Sequence, residues 1–146
     1  IQRGVNAMRK LLIAGPAQVF NIREASRLKA FVMLYLSEFM KEDRARAIVC
    51  ASDTLAGQYA MTFAHSCVMP VLDYAAELSG SKKQITGLLS QEDRDALAIR
   101  DAKMLAEPDI ARAILFNHTG ECTNIIAAIQ SRDACLAPIP ITRVVI

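Results

Sequence analysis

Ala30-Phe31-Val32-Met33-Leu34-Tyr35-Leu36 is the longest apolar run in the chain, and it lies inside a segment, Ile22 to Met40, that has a readable helix start. Asn21 is a suitable N-cap residue, and Glu24 stands three residues later, which is the spacing of a capping box. A run of this length covers every side of a helix for nearly two turns. The pattern therefore predicts a central helix that has neighbours on several sides.

The composition favours helices over sheets. Hydrophobic residues make up 53% of the chain, aromatic residues only 5%, and Trp is absent, so Leu, Ile, Ala, Val and Met must build the core. A chain of 146 residues suits one domain with one core. We therefore expect an all-α fold, a compact bundle of six to eight short helices around the segment 22–40.

Helical spacing, caps and breakers predict further helices along the chain. Gly15-Pro16 stops the first, Ser52-Asp53 interrupts the third and offers new N-caps, and Ser90 with Asp93 repeats the capping logic. Besides the central helix, the expected helices cover about 1–14, 42–51, 54–65, 70–78, 82–89, 90–106, 108–116 and 121–130.

The pattern changes after Arg132. Pro138 and Pro140 forbid a helix interior, and the residues between and after them are mostly β-branched. The sequence therefore predicts two regions, a helical domain over 1–132 and an extended tail over 133–146 that lies along the bundle, pairs with another chain or leads into a further domain. The tail residues expected to contact a partner are Ile139, Ile141 and Val144.

Basic residues are concentrated in the first third of the chain. Residues 1–46 contain nine Lys or Arg and four acidic residues, whereas residues 47–146 contain eight and eleven. The total formal charge of +2 is too small to indicate a polyanionic partner, but a local basic face could hold phosphates or an acidic surface. The residues proposed for such a face are Arg23, Arg27, Arg44 and Arg46.

Cysteine and histidine offer two weak candidate sites. His65, Cys67, His118 and Cys122 are the only residues that could form a zinc site, but Gly120 interrupts the second pair, and no metal site is expected. Cys122 near a helix start with His118 a turn earlier could form a thiol nucleophile and its base. Ordinary surface histidines and buried thiols explain the same residues.

Two further patterns have simple structural explanations. The acidic residues of the segment 92–101 lie in the first turns of an expected helix, where they compensate the helix dipole. Gly80-Ser81-Lys82 contains too few glycines for a phosphate-binding loop. Neither pattern specifies a reaction.

We therefore expect a non-enzymatic protein–protein interaction module, an adaptor or one domain of a larger effector-like protein, that uses no cofactor. Nucleic-acid or polyanion binding by the basic region is the alternative, and a thiol enzyme based on Cys122 is the second alternative. An oligomer is compatible with the tail. Because no apolar stretch approaches ~20 residues and no secretory signal is visible, no membrane span and a reducing, cytoplasmic location are expected. The first residue is Ile1, which suggests a trimmed or excised chain.

Overall fold

The computed structural model shows an α/β fold with a five-stranded parallel sheet. It describes residues 8–15, 21–76, 91–117, 123–130 and 138–145. Strands and helices alternate throughout these ranges. In chain order the elements are β1 (Lys10–Ala14), α1 (Ile22–Glu42), β2 (Ala47–Cys50), α2 (Leu55–Ser66), β3 (Val71–Asp73), α3 (Gln91–Leu105), β4 (Ile110–Asn117), α4 (Thr123–Gln130) and β5 (Ile141–Val145).

The strand order in the sheet is β3-β2-β1-β4-β5. The chain therefore moves from β1 outward through β2 to β3, and then crosses back to the other side of β1 for β4 and β5. Order reverses between β1 and β4, which makes this pair the topological switch point of the sheet. In open α/β sheets, ligands bind at the carboxyl edge beside such a point.

The two faces of the sheet bury two separate apolar cores. Alternate residues of one strand point to opposite faces, so Leu11 and Ile13 pack with α1 and α2, whereas Leu12 packs with α3 and α4. The same alternation separates Ile114 from Leu115 on β4. Because both faces are covered, the central strands are apolar at nearly every position.

The sequence-based prediction of an all-α helical bundle is wrong. Four of the expected helices, over about 1–14, 42–51, 70–78 and 108–116, contain the strands β1, β2, β3 and β4 instead. A strand buried on both faces is a short continuous apolar run, and periodicity alone does not distinguish such a run from a segment of buried helix. The scarcity of aromatic residues does not require helices, because Leu, Ile, Val and Ala build this sheet.

The helix α1 is predicted correctly, but its place in the fold is not. Asn21 caps it, because the side-chain Oδ1 accepts the Glu24 amide at 2.8 Å. It buries a single stripe of residues against one face of the sheet, and Leu34, in the middle of the apolar run, is 57% exposed. The helix is therefore a surface helix and not the centre of a bundle. None of the helices in the described ranges is long and apolar enough to cross a bilayer.

Candidate functional site

The carboxyl edge of the sheet collects the residues that follow β1, β2 and β3. These are Gly15 after β1, the segment Ser52-Asp53-Thr54 between β2 and α2, and the segment 74–76 after β3. All strands are parallel, so these residues meet at one edge. In open α/β sheets this edge is the usual place for a ligand.

Two glycines allow the elements around this edge to approach closely. A Cβ on Gly15 would lie 2.6 Å from the Cβ of Ala56 in α2, and a Cβ on Gly57 would lie 2.0 Å from the carbonyl oxygen of Ala51. Neither distance can accommodate a side chain. The backbone at the end of β1 therefore lies against the Ala56 side chain of α2, and the backbone of the first turn of α2 lies against the backbone of Ala51.

The turn between β2 and α2 is fixed by side-chain hydrogen bonds. The Thr54 hydroxyl accepts the Gly57 amide at 2.9 Å and donates to the Ala51 carbonyl at 2.8 Å. The Ser52 amide donates to Asp73 at 2.8 Å, which ties this turn to the end of β3. These bonds satisfy the N-terminus of α2 and hold the turn in one conformation.

A buried charge cluster joins this turn to α3. The Arg100 guanidinium donates to the Asp53 carboxylate and also contacts Asp101 through two nitrogens at 3.0 Å. The other oxygen of Asp53 accepts the Ala76 amide at 3.0 Å. Asp53 and Asp101 are 4% and 7% exposed, so one arginine balances two carboxylates away from solvent.

The surroundings of Asp101 disfavour its charged form. Burial raises the pKa of this carboxyl above its ordinary value, the adjacent Arg100 lowers the pKa, and the nearby Asp53 raises it further. Burial is the strongest of these effects. Perturbed carboxyl groups in clefts are characteristic of functional sites, although structural ion pairs also produce them.

Arg100 lies between two cavities. A small one of about 20 Å³ is lined by Gly15, Thr54, Arg100 and Asp101, among others, and has room for about one water molecule. A larger, open one of about 580 Å³ lies between the end of β3 and α3. Its lining residues are Asp73, Tyr74, Ala75, Ala76, Glu92, Asp95, Ala96, Ile99, Arg100 and Lys103.

Tyr74 is one of the residues that line the larger cavity, and its hydroxyl binds a residue outside that lining. The hydroxyl donates to the Glu107 carboxylate, which lies 4.0 Å from the Nζ of the fully buried Lys10. Lys10 also donates to the Pro108 carbonyl at 2.8 Å. Burial and then the Glu107 carboxylate raise the pKa of Tyr74 to about 12, so the hydroxyl keeps its proton.

Cys50 is the last residue of β2, and its thiol has low reactivity. Its thiol contacts the Gly57 carbonyl at 3.8 Å, and it is completely buried. Burial, followed by the charges of Asp73 and Asp53, raises its pKa to about 12. A thiol in this state is a poor nucleophile at neutral pH.

The four arginines proposed from the sequence lie at opposite ends of α1. Arg23 and Arg27 are in its first two turns, while Arg44 and Arg46 follow its last residue. A helix of 21 residues is about 30 Å long, so the two pairs do not form one surface. Arg23 and Arg27 lie at the carboxyl-edge end of the helix, and all four side chains are exposed.

The tail residues proposed as a contact surface belong to the sheet. Ile141 and Val144 are part of β5, which pairs in parallel with β4. Ile139 and Val144 are 6% and 5% exposed and belong to the two cores. Residues 141–145 are extended, and Ile139 and Val144 are covered by other parts of this chain, whereas Val145 is exposed.

The remaining sequence candidates lie apart from the edge or outside the described residues. His118 and Cys122 fall in the range 118–122 and Gly80-Ser81-Lys82 in the range 77–90, neither of which the structure describes. His65 and Cys67 are exposed at the end of α2. Within the described ranges, no three His, Cys, Asp or Glu side chains are arranged to hold a metal ion.

Sequence reasoning missed Asp53, Tyr74 and Arg100 as site residues. Two signals were available, since Gly15 and Ser52-Asp53-Thr54 each follow directly after a short apolar run. Read as strand ends, they would have indicated a shared edge. Arg100 gives no such signal, because it reaches the edge only through the packing of α3.

Comparison with protein-family models, curated proteins and solved structures finds no match for this chain. Inferences about function therefore rest on the geometry of the carboxyl edge.

Proposed function

We propose that this protein binds a nucleoside or nucleotide in the cleft at the carboxyl edge of its sheet. The observation that carries the proposal is the open cavity of about 580 Å³ beside the buried cluster of Asp53, Arg100 and Asp101. Ligand pockets of about 300–1,000 Å³ suit small organic molecules. The cavity lies at the carboxyl edge, where open α/β sheets bind ligands, although at the end of β3 and not at the switch point between β1 and β4.

The charges of the cavity favour a ligand with hydrogen-bond donors. Asp73, Glu92 and Asp95 line it, and the charge of Arg100 is already matched by Asp53 and Asp101. Carboxylates accept hydrogen bonds from hydroxyl and amino groups, which ribose and several bases carry. A ligand made only of phosphate would meet more negative than positive charge.

One cation of the cavity is available for an anionic group. Lys103 lines the cavity and makes no ion pair within the described residues. An ammonium group in this position suits a single phosphate. The lining therefore combines hydrogen-bond acceptors for a sugar or base with one cationic donor for a phosphate. These groups complement those of a mononucleotide.

The interaction-module hypothesis stays a prediction. Since Ile139 and Val144 are buried, a partner at β5 would meet the exposed side chains of Arg143 and Val145 and the free edge of the strand. Polyanion binding by the arginines of α1 also stays a prediction.

Isothermal titration calorimetry of the full chain with adenosine, AMP and inorganic phosphate tests the proposal. We expect adenosine and AMP to bind with dissociation constants below about 1 mM and phosphate alone to bind more weakly.

Ala96→Trp fills the cavity from α3 and should weaken binding at least tenfold. Ala98→Trp is the matched control, because Ala98 is exposed on the same helix and does not line the cavity. The absence of binding by any nucleoside or nucleotide, or equal affinity of the Ala96→Trp variant, would contradict the proposal.

A further inference from the structure

The ring of Tyr74 is held in place independently of any ligand. Its hydroxyl donates to Glu107, and Glu107 is paired with Lys10, which is completely buried and hydrogen-bonded to two backbone carbonyls. Because the Tyr74 hydroxyl is hydrogen-bonded to Glu107, the part of this side chain that can contact a ligand in the cavity is the ring. Tyr74 lines the cavity between β3 and α3, whereas Glu107, which holds its hydroxyl, does not.

Aliphatic and acidic groups complete this cavity. Ile99 lines the cavity on the α3 side and is 55% exposed. Asp73 and Asp95 each have one carboxylate oxygen engaged, by the Ser52 amide and by the Gln91 side chain respectively. Their second oxygens make no hydrogen bond within the described residues and are available as acceptors.

Tyr74, an aliphatic side chain and two carboxylates at one cavity suit a flat ring that carries an amino group. Planar rings stack on tyrosine, and an amino group donates to a carboxylate, whereas a ring carbonyl in the same place would face negative charge. A site that hydrogen-bonds one group of a ligand rejects analogues that lack the group.

We infer that the cavity between β3 and α3 is the base-binding part of the ligand site and selects an amino-substituted nucleobase that stacks on Tyr74. The inference rests on the proposed function, since it names the part of the nucleoside that the cavity recognises. Lys10 and Glu107 are positioning residues, because they act on the ligand only through the orientation of the Tyr74 ring.

Paired nucleosides that differ at one ring substituent test the inference on the unaltered protein. Adenosine and inosine, and cytidine and uridine, exchange an amino group for a carbonyl at the same ring position. Calorimetric titration should show the amino member binding at least fivefold more tightly in the pair that binds better. A ratio below fivefold in that pair, or a preference for the carbonyl member, overturns the inference and leaves the proposed function standing. Failure of all four nucleosides and of AMP to bind overturns both.

Substitutions then locate the effect. Tyr74→Leu removes the ring and should weaken the preferred nucleoside roughly tenfold, whereas Tyr74→Phe keeps the ring without its anchor and should weaken binding less. Tyr59→Leu is the matched control, since Tyr59 is a half-buried tyrosine of α2 that packs against the opposite core. Equal affinities of the Tyr74→Leu and Tyr59→Leu variants would contradict stacking on Tyr74.

Asp73→Asn and Asp95→Asn test which carboxylate receives the amino group. The variant that removes this carboxylate should show a smaller ratio between the affinities for the amino and the carbonyl nucleoside. An unchanged ratio in both variants would contradict that part of the inference.

Discussion

Arg100 of α3 and Asp53 of the turn after β2 form a buried ion pair although they are 47 residues apart in the sequence. Asp53 is 4% exposed, and the Arg100 side chain is 13% exposed. The pair joins an element from each side of the sheet's switch point and shapes the wall shared by both cavities. It is therefore important for both the fold and the proposed ligand site.

Removal of the arginine should be costly. Arg100→Leu leaves Asp53 and Asp101 without a cation, and we expect the free energy of unfolding to fall by about 3–5 kcal/mol. Urea unfolding followed by circular dichroism measures the change. Arg94→Leu, at an exposed arginine of the same helix, should change it by less than about 0.5 kcal/mol. Similar losses in the two variants would show that the buried cluster is not important for stability.

Asp101 should make stability depend on pH in an identifiable direction. Its pKa is raised in the folded state, so the folded protein holds a proton that the unfolded chain has already released between the ordinary value of 3.8 and the raised pKa. This side chain therefore lowers the free energy of unfolding as the pH rises through that window. Asp101→Asn lacks this titration. We expect the stability of the wild type relative to the Asp101→Asn variant to increase as the pH falls from 7 towards 4, in parallel urea titrations. A difference that is constant, or that decreases, would contradict the raised pKa.

Even a methyl side chain at position 57 should destabilise the protein. At an exposed helix position, alanine in place of glycine stabilises a protein by about 1 kcal/mol. At Gly57 the new Cβ would lie 2.0 Å from the backbone oxygen of Ala51, so we expect Gly57→Ala to reduce the free energy of unfolding by about 2–3 kcal/mol. Thermal and urea unfolding measure the change, with Ser37→Ala on the exposed side of α1 as the control. A neutral or stabilising effect of Gly57→Ala would contradict the close contact between β2 and α2.

Two adjacent valines of β5 test whether the final segment belongs to the core. Val144 is 5% exposed and packs against the core shared with α1 and α2, whereas Val145 is 76% exposed. We expect Val144→Ala to lower the free energy of unfolding by about 1–3 kcal/mol and Val145→Ala to change it by less than about 0.5 kcal/mol. If the segment were a detachable tail, both substitutions would be silent.

Helix ends could be read from this sequence more reliably than strands. The cap at Asn21 is confirmed, whereas α2 is capped by Thr54 and not by the expected Ser52 or Asp53. Helices α3 and α4 lie within helices expected from spacing. The strands were not predicted, because a strand buried on both faces shows no alternation of apolar and polar residues. Strand β2, with the sequence Ala47-Ile48-Val49-Cys50, is buried at every position. Its four residues also fit one turn of a buried helix. The alternation of helix and short apolar run along the whole chain was the feature that indicated a parallel sheet.

The candidate site depends almost entirely on that topology. Gly15, Asp53 and Tyr74 lie far apart in the sequence, and only parallel strand ends bring them to one edge. Because α1 is a single helix of 21 residues that ends before Arg44, Arg27 and Arg44 lie far apart. A wrong fold class therefore directed attention to the arginines of α1 and to Cys122.

Binding at the carboxyl edge is the central claim, and a residue-resolved titration tests it most directly. We would record amide ¹H–¹⁵N correlation spectra of the full chain while adding AMP. We expect shifts at Gly15, Ser52, Thr54, Tyr74 and Arg100. Arg9, Arg46 and Asp109 lie at the amino edge and should change little. Saturable shifts confined to the amino edge, or a spectrum that AMP does not alter, would contradict the claim.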